Sequence, residues 1–146
     1  MSDFPTRLHK KAHLLVLVLA ALTGCASSVE VPSNVTVGQR RATLAPGPNV
    51  DFASPPRISA VWLSSLTLRR GEAWAGEIST SSNTASVEVR TDSFSFSVPR
   101  VRIGEFAFSY AIPDLPPYLR RPFLLHVVAR NAGGDRLEET LPIEIK

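Results

Sequence analysis

Phe94-Ser95-Phe96-Ser97-Val98 puts bulky apolar side chains at every second position and serine between them. An extended chain turns successive side chains to opposite faces, so this order gives one apolar and one hydroxyl face. A helix would scatter the same residues around its surface. The period recurs along the chain. Ile58, Ala60 and Trp62 alternate with Ser59, Val61 and Leu63, and Trp74, Gly76 and Ile78 follow. Val87 and Val89 repeat it within 86–91, and Phe106, Phe108, Tyr110 and Ile112 repeat it again. These are half-buried strands. Pro99 ends one run, as a proline at a strand end should. Gly104 and Glu105 sit where a hairpin must turn between Val98 and Phe106. No stretch carries a convincing helical period.

The last third adds a run, Phe123 to Arg130, that is apolar on both faces and reads as a central strand. Asn131, Gly133 and Gly134 supply the backbone freedom for a turn ending at Asp135. Leu141, Ile143 and Ile145 then alternate with polar neighbours. About seven short strands in about 90 residues imply an all-β sandwich, with a single domain over residues 57–146.

The stretch Tyr110-Ala111-Ile112-Pro113-Asp114-Leu115-Pro116-Pro117, taken with Phe123, Leu125, Val127, Ala129, Asn131 and Gly133, resembles fibronectin type III and related bacterial immunoglobulin-like domains. That family has a Leu-x-Pro corner, then alternating apolar residues closing on Ala-x-Asn and a glycine turn. The corner-to-strand spacing is longer here, and Phe123 stands where the family's strand has tyrosine. Tyr118 is the candidate to replace the corner tyrosine. The resemblance covers well under half the chain. It implies an immunoglobulin-like sandwich and names no ligand.

The amino terminus follows another logic. Arg7, Lys10 and Lys11 precede Ala12–Leu22, which is apolar apart from His13. A basic cluster before a short apolar run is a secretory leader. The run falls well short of the ~20 residues that cross a bilayer as a helix. Behind it, Leu22-Thr23-Gly24-Cys25 resembles the lipobox of bacterial lipoproteins. The resemblance implies that the Cys25 thiol is alkylated by diacylglycerol, that the Gly24–Cys25 bond is cut, and that the new amino terminus is acylated with palmitate-type chains. Residues 1–24 are then a signal peptide, expected to be helical. The competing reading is an ordinary cleaved leader, or an uncleaved anchor, beside an incidental cysteine. Cys25 is the only cysteine, and lipidation accounts for an unpaired one in an exported chain. Ala26 and Ser27 follow it. In familiar Gram-negative bacteria an Asp there retains a lipoprotein at the inner membrane, so its absence implies the outer membrane if the host has two.

Residues 25–56 read as the lipidated cysteine and a flexible linker. Pro32, Pro46, Gly47, Pro48, Pro55 and Pro56 punctuate it and no period persists. About 30 residues at roughly 3.3 Å each would reach on the order of 100 Å. The spacing of Val29, Val31, Val35 and Val37 leaves open a short edge strand lying on the domain.

Charge and chemistry exclude several classes. Without residues 1–24, thirteen basic residues face twelve acidic ones, a net of +1. The arginine pairs Arg40-Arg41, Arg69-Arg70 and Arg120-Arg121 are scattered, so no nucleic-acid stripe is formed. Only His126 remains outside the leader, so no histidine-rich metal site, and no metal or cofactor, is expected. No Gly-x-Ser-x-Gly, phosphate loop or His-Glu-x-x-His occurs. Any serine triad would depend on His126, which reads better as a structural histidine than as a general base. Asp114, Asp135, Glu138 and Glu139 are too dispersed for calcium's six to eight oxygens. Trp62 and Trp74 read as core residues, with a sugar-stacking platform as the alternative.

The expectation is a lipid-anchored, non-catalytic binding or structural module of the cell envelope. The alternative is an accessory subunit of an envelope secretion, transport or assembly machine. Its partners would be the bilayer, through acylated Cys25, and an envelope protein or polysaccharide. Contact is expected at loops 81–85, 112–122 or 131–135. The middle loop, with Tyr118, Arg120 and Arg121, is the preferred contact among the three, and its reading as a mere rigid corner stands beside that on equal terms.

Overall fold

A computed structural model describes residues 30–38 and 43–146. The expected signal-peptide helix over 1–24, with Gly24 and Cys25, lies outside the described residues. Ten strands occur among them: β1 Val35–Val37, β2 Ile58–Leu63, β3 Thr67–Leu68, β4 Ala73–Thr80, β5 Thr84–Arg90, β6 Ser95–Val98, β7 Arg100–Arg102, β8 Glu105–Ala111, β9 Pro122–Asn131 and β10 Arg136–Ile145. One sheet has the order β1-β2-β4-β8-β7 and the other β3-β10-β9-β5-β6. The pairs β1–β2 and β3–β10 are parallel and the others antiparallel. A 3-10 turn, Pro117–Leu119, is the one helical element described. No described helix is long and apolar enough to cross a membrane.

The alternation places the core as expected. Trp74 and Ile78 on β4 and Phe106 and Phe108 on β8 face Val87 and Val89 on β5, Leu125 and Val127 on β9, and Leu141 and Ile143 on β10 of the second sheet. Trp74, Phe96, Phe108 and Tyr110 meet mainly edge to face, with centroids 4.8–6.2 Å apart. Glycine at 76 leaves room for this stack, because a Cβ there would lie 2.4 Å from the Phe108 ring.

Ten strands replace the expected seven. The additions β1, β3 and β7 have two or three residues each; β1 is the short edge strand that the valine spacing left open, and β3 and β7 are too short to display a period. β7 forms where the chain switches sheets at Pro99. Gly104, at φ +72°, then reverses it into β8.

The largest difference concerns residues 25–56, whose described part is not a free linker. Val35 pairs with Val61, and Val61 N–H donates to Asn34 O at 3.0 Å. Residues 43–56 then cross one end of the sandwich as a strap. Ser79 Oγ donates to Ala45 O at 2.7 Å, Ser82 N–H to Pro48 O and Val50 N–H to Ser82 Oγ. Asn83 Nδ2 donates to Asp51 O, and Asn131 Nδ2 to Ser54 O at 3.0 Å. Irregular backbone is tolerated because side chains of the adjacent turns satisfy its polar groups. Periodicity is blind to that arrangement.

Asn34 also reaches across to the second sheet, donating to Glu139 Oε1 at 2.8 Å. Glu139 is an inward-facing carboxylate on β10, opposite Val127. Its Oε2 is buried without a hydrogen bond. Burial pushes the Glu139 carboxyl up, and the Asn34 hydrogen bond only partly opposes this.

Two expectations follow. A Cβ at position 47 would lie 1.8 Å from Thr80 O, so Gly47→Ala should cost about 1–3 kcal/mol, as overpacking does. A urea midpoint equal to wild type would mean the strap is not held there. For Glu139, the folded state keeps a proton that the unfolded chain releases. Stability should therefore fall as pH rises from the ordinary 4.5 through the raised value. Glu139→Gln should remove that fall. Unfolding midpoints from pH 4 to 8 check it, and an unchanged difference between the two proteins across the range would refute it.

Candidate functional site

The strands run between two ends, and the expected contact loops divide between them. Turns 81–83, 103–104 and 131–135 lie at the strap end. Turns 69–72, 91–94 and 112–121 lie at the far end, with the carboxy terminus. Loops 81–85 and 131–135 are occupied by the chain itself. Asn83 donates to Asp51 O and Ser54 O, and Asn131 holds both Ser54 O and Asp135 Oδ2. Among the described residues, none lies across loop 112–122 in this way.

The far-end loop is built from its prolines inward. Ile112 N–H donates to Glu72 O and Gly71 N–H to Ile112 O, both at 2.9 Å, tying the loop's start to turn 69–72. Leu115 and Leu119 turn in against the core. Pro117 opens the 3-10 turn, where its missing N–H costs nothing. Tyr118 thereby points outward and is 75% exposed. It does not pack as a corner tyrosine, because the turn is anchored instead by its leucines.

Arg120 and Arg121 are both engaged. Arg120 reaches Asp114 at 3.4 Å, and Arg70 meets the same carboxylate at 3.1 Å. Arg121 donates to Asp92 at 2.7 Å, and its guanidinium lies 4.2 Å from the Phe123 ring centroid. The Arg121 hydrogen bond holds the exposed Asp92 carboxyl below its ordinary value. Exposed pairs of this kind contribute little to stability. They do fix the direction in which the arginines present their remaining donors.

Beside Arg121 lies a hollow of about 420 Å³, lined by Asp92, Arg121, Pro122, Leu124, His126 and Pro142, with Phe123 below. Leu124 is 43% exposed. Sequence reasoning missed this hollow. Leu124, His126 and Pro142 sit on the outward face of their strands, and the one available signal was an outward leucine opposite a proline in mid-strand. Leu124 and Pro142 are register partners.

His126 is held by its neighbours. Its Nδ1 lies 2.7 Å from Glu138 Oε1 and 3.3 Å from Thr140 Oγ1, and Arg90 meets Glu138 Oε2 at 2.8 Å. Burial pushes the Glu138 carboxyl up, but the His126 hydrogen bond and the Arg90 charge outweigh it and hold it below its ordinary value. The geometry is that of a cross-strand polar ladder on a sheet face.

The two tryptophans do not share a platform. Trp74 faces the core and donates from Nε1 to Ser65 O at 3.1 Å. Trp62 lies on the opposite face of the same sheet, beside Glu77, and is nearly buried there. Among the described residues no three His, Cys, Asp or Glu side chains gather to hold a metal.

The chain matches no protein family and no curated protein. A crystal structure of a DUF4785 family protein from Legionella pneumophila subsp. pneumophila str. Philadelphia 1 is similar at 13% identity with a TM-score of 0.47. The similarity covers 58% of this chain and 27% of that one.

Tyr118 should be free for contact rather than part of the core. Tyr118→Ala is therefore expected to change the unfolding free energy by no more than about 0.5 kcal/mol, as surface changes do. Denaturant titration measures it. A loss several times larger would show that the ring packs on the sandwich.

Proposed function

We propose that this chain is a lipid-anchored protein of a bacterial cell envelope that works by non-covalent binding and not by turnover. The observation that carries the reading is the order of basic cluster, apolar run and Leu22-Thr23-Gly24-Cys25. In this reading the Gly24–Cys25 bond is cut and Cys25 is acylated. Two or three acyl chains, at roughly 0.8 kcal/mol per buried methylene, hold the protein permanently. With Ala26 and Ser27 behind the cysteine, the outer membrane is the destination in a two-membrane host.

The sandwich is assigned to the immunoglobulin-like class. Its support is the strand order: β2-β4-β8 in one layer and β10-β9-β5-β6 in the other, with β3 parallel to β10. The far-end loop and the adjoining hollow are the binding surface. Tyr118 and Leu124 offer apolar contact, and Arg120 and Arg121 supply directed donors. Anchoring confines the domain to a thin layer and raises its effective concentration toward envelope partners. The partner is an envelope protein or polysaccharide. A second reading, an accessory subunit of an envelope machine, has the same surface meet a larger assembly.

Mass spectrometry of the mature amino terminus tests the anchor: a diacylglyceryl mass on Cys25 is expected, and a free thiol would refute it. In-cell photocrosslinking tests the surface. A probe at position 118 should capture a specific envelope partner, and one at Asn83, beneath the strap, should not. Equal capture from both positions, or from neither, would remove the far-end loop as the site.

A further inference from the structure

We infer that the strap end of the sandwich is a membrane-contact surface, seated on the bilayer that holds Cys25. The inference rests on the lipoprotein reading above. The chain that follows Cys25 already lies against the sandwich at Asn34, whose amide reaches Ile58 O at the start of β2. Asn34 is only nine residue steps on from Cys25. At roughly 3.3–3.6 Å per residue they span at most ~30 Å. That is about the length of one long strand of this sandwich, and far less than the reach of an unpacked linker. Ile58 is a strap-end residue, since its neighbour Arg57 donates its backbone N–H to Ser81 Oγ at 2.8 Å. The anchor therefore draws this end, and not the far end, toward the lipid.

The side chains at that end suit a lipid surface. Phe52 is 70% exposed and Ile103 74%. They stand on two separate loops braced by one turn. Phe52 is held through Asn83, which binds Asp51 O and Ser54 O, and Ile103 through the adjoining Gly104 O, which accepts from Thr80 N–H at 2.7 Å. Val101 on β7 and Leu137 on β10 are exposed as well. Exposed apolar tips on braced loops are what an interfacial protein inserts among lipid headgroups. Arg57, Arg102 and Arg136 are exposed at the same end, against Asp51, Asp135 and Glu105, the last 3.6 Å from Arg102, which leaves Arg57 and Arg136 as the basic side chains to meet lipid. The basic side chains match an anionic lipid surface. Seated this way, the protein holds Tyr118 and its hollow at the side away from the membrane.

The acylated Cys25 thiol is consumed, so a cysteine introduced elsewhere becomes the chain's one free thiol. Phe52→Cys, Ile103→Cys and Tyr118→Cys are made in the full lipidated protein and labelled with an environment-sensitive fluorophore. Each is placed in vesicles of three parts phosphatidylethanolamine to one part phosphatidylglycerol containing a lipid-borne quencher. Quenching at 52 and 103 should exceed that at 118 at least twofold. Adding Arg57→Gln and Arg136→Gln should reduce quenching at 103. If Cys25 is acylated but the three positions quench alike, or 118 quenches most, the membrane-contact surface is refuted and the anchor stands. If the mature amino terminus carries a free thiol, both fail together.

Discussion

The turn between β4 and β5 holds the structure together, because it buries hydroxyls that must find partners. Ser79, Thr80, Ser81, Thr84 and Asn131 are the buried polar side chains among the described residues, and all stand at this one end. A buried hydroxyl or amide without a hydrogen bond costs roughly 1–3 kcal/mol. Here the partners are supplied by the neighbouring β7–β8 turn and by the amino-terminal strap. Thr80 Oγ1 donates to Gly104 O at 3.3 Å, and Ser79 Oγ to Ala45 O at 2.7 Å. The segment before β2 thus closes the polar end of the core. The far end is closed by Leu115, Leu119 and the aromatic stack.

That division explains what the amino-acid sequence discloses and what it conceals. β4, β5, β6, β8, β9 and β10 follow from alternation, because in each the inward residues pack on the opposite sheet; in β2 a register shift after Ile58 puts Val61 and Leu63 inward with Ile58, and Trp62 outward, against the alternation read from the sequence. The strap has no period to read. Its hold comes from backbone carbonyls meeting side chains that are distant in sequence, as when Asn131 bonds Ser54. Prolines that suggested a flexible linker are compatible with an irregular segment laid against a surface. β3 pairs with β10 over only Glu144 and Ile145, a match no local pattern reveals.

The candidate site was legible to a similar depth. The exposure of Tyr118 follows from prolines on both sides of the loop's leucines. Which loops share an end does not, since it depends on how many times the chain crosses between layers. Counting strands without β7 conceals the switch of sheets at Pro99. The hollow beside Arg121 needed the register of β9 against β10, which sets Leu124 opposite Pro142 and His126 opposite Thr140. The separation of Trp62 from Trp74 depended on register as well, because each lies in an apolar run that allowed either face.

The strap also changes how the chain is held in space. A linker of some 30 free residues would let the domain roam. A chain packed over 34–38 and again over 43–56 instead makes these segments part of the domain. Native-state hydrogen exchange tests this most directly. The amide of Ser82, bonded to Pro48 O, and that of Val61, bonded to Asn34 O, should exchange only with the opening that exposes the β4 and β9 amides, since a cooperative unit opens as one. Exchange of both at unprotected rates, while the β4 and β9 amides stay protected, would show the amino-terminal segment to be a loose tether after all.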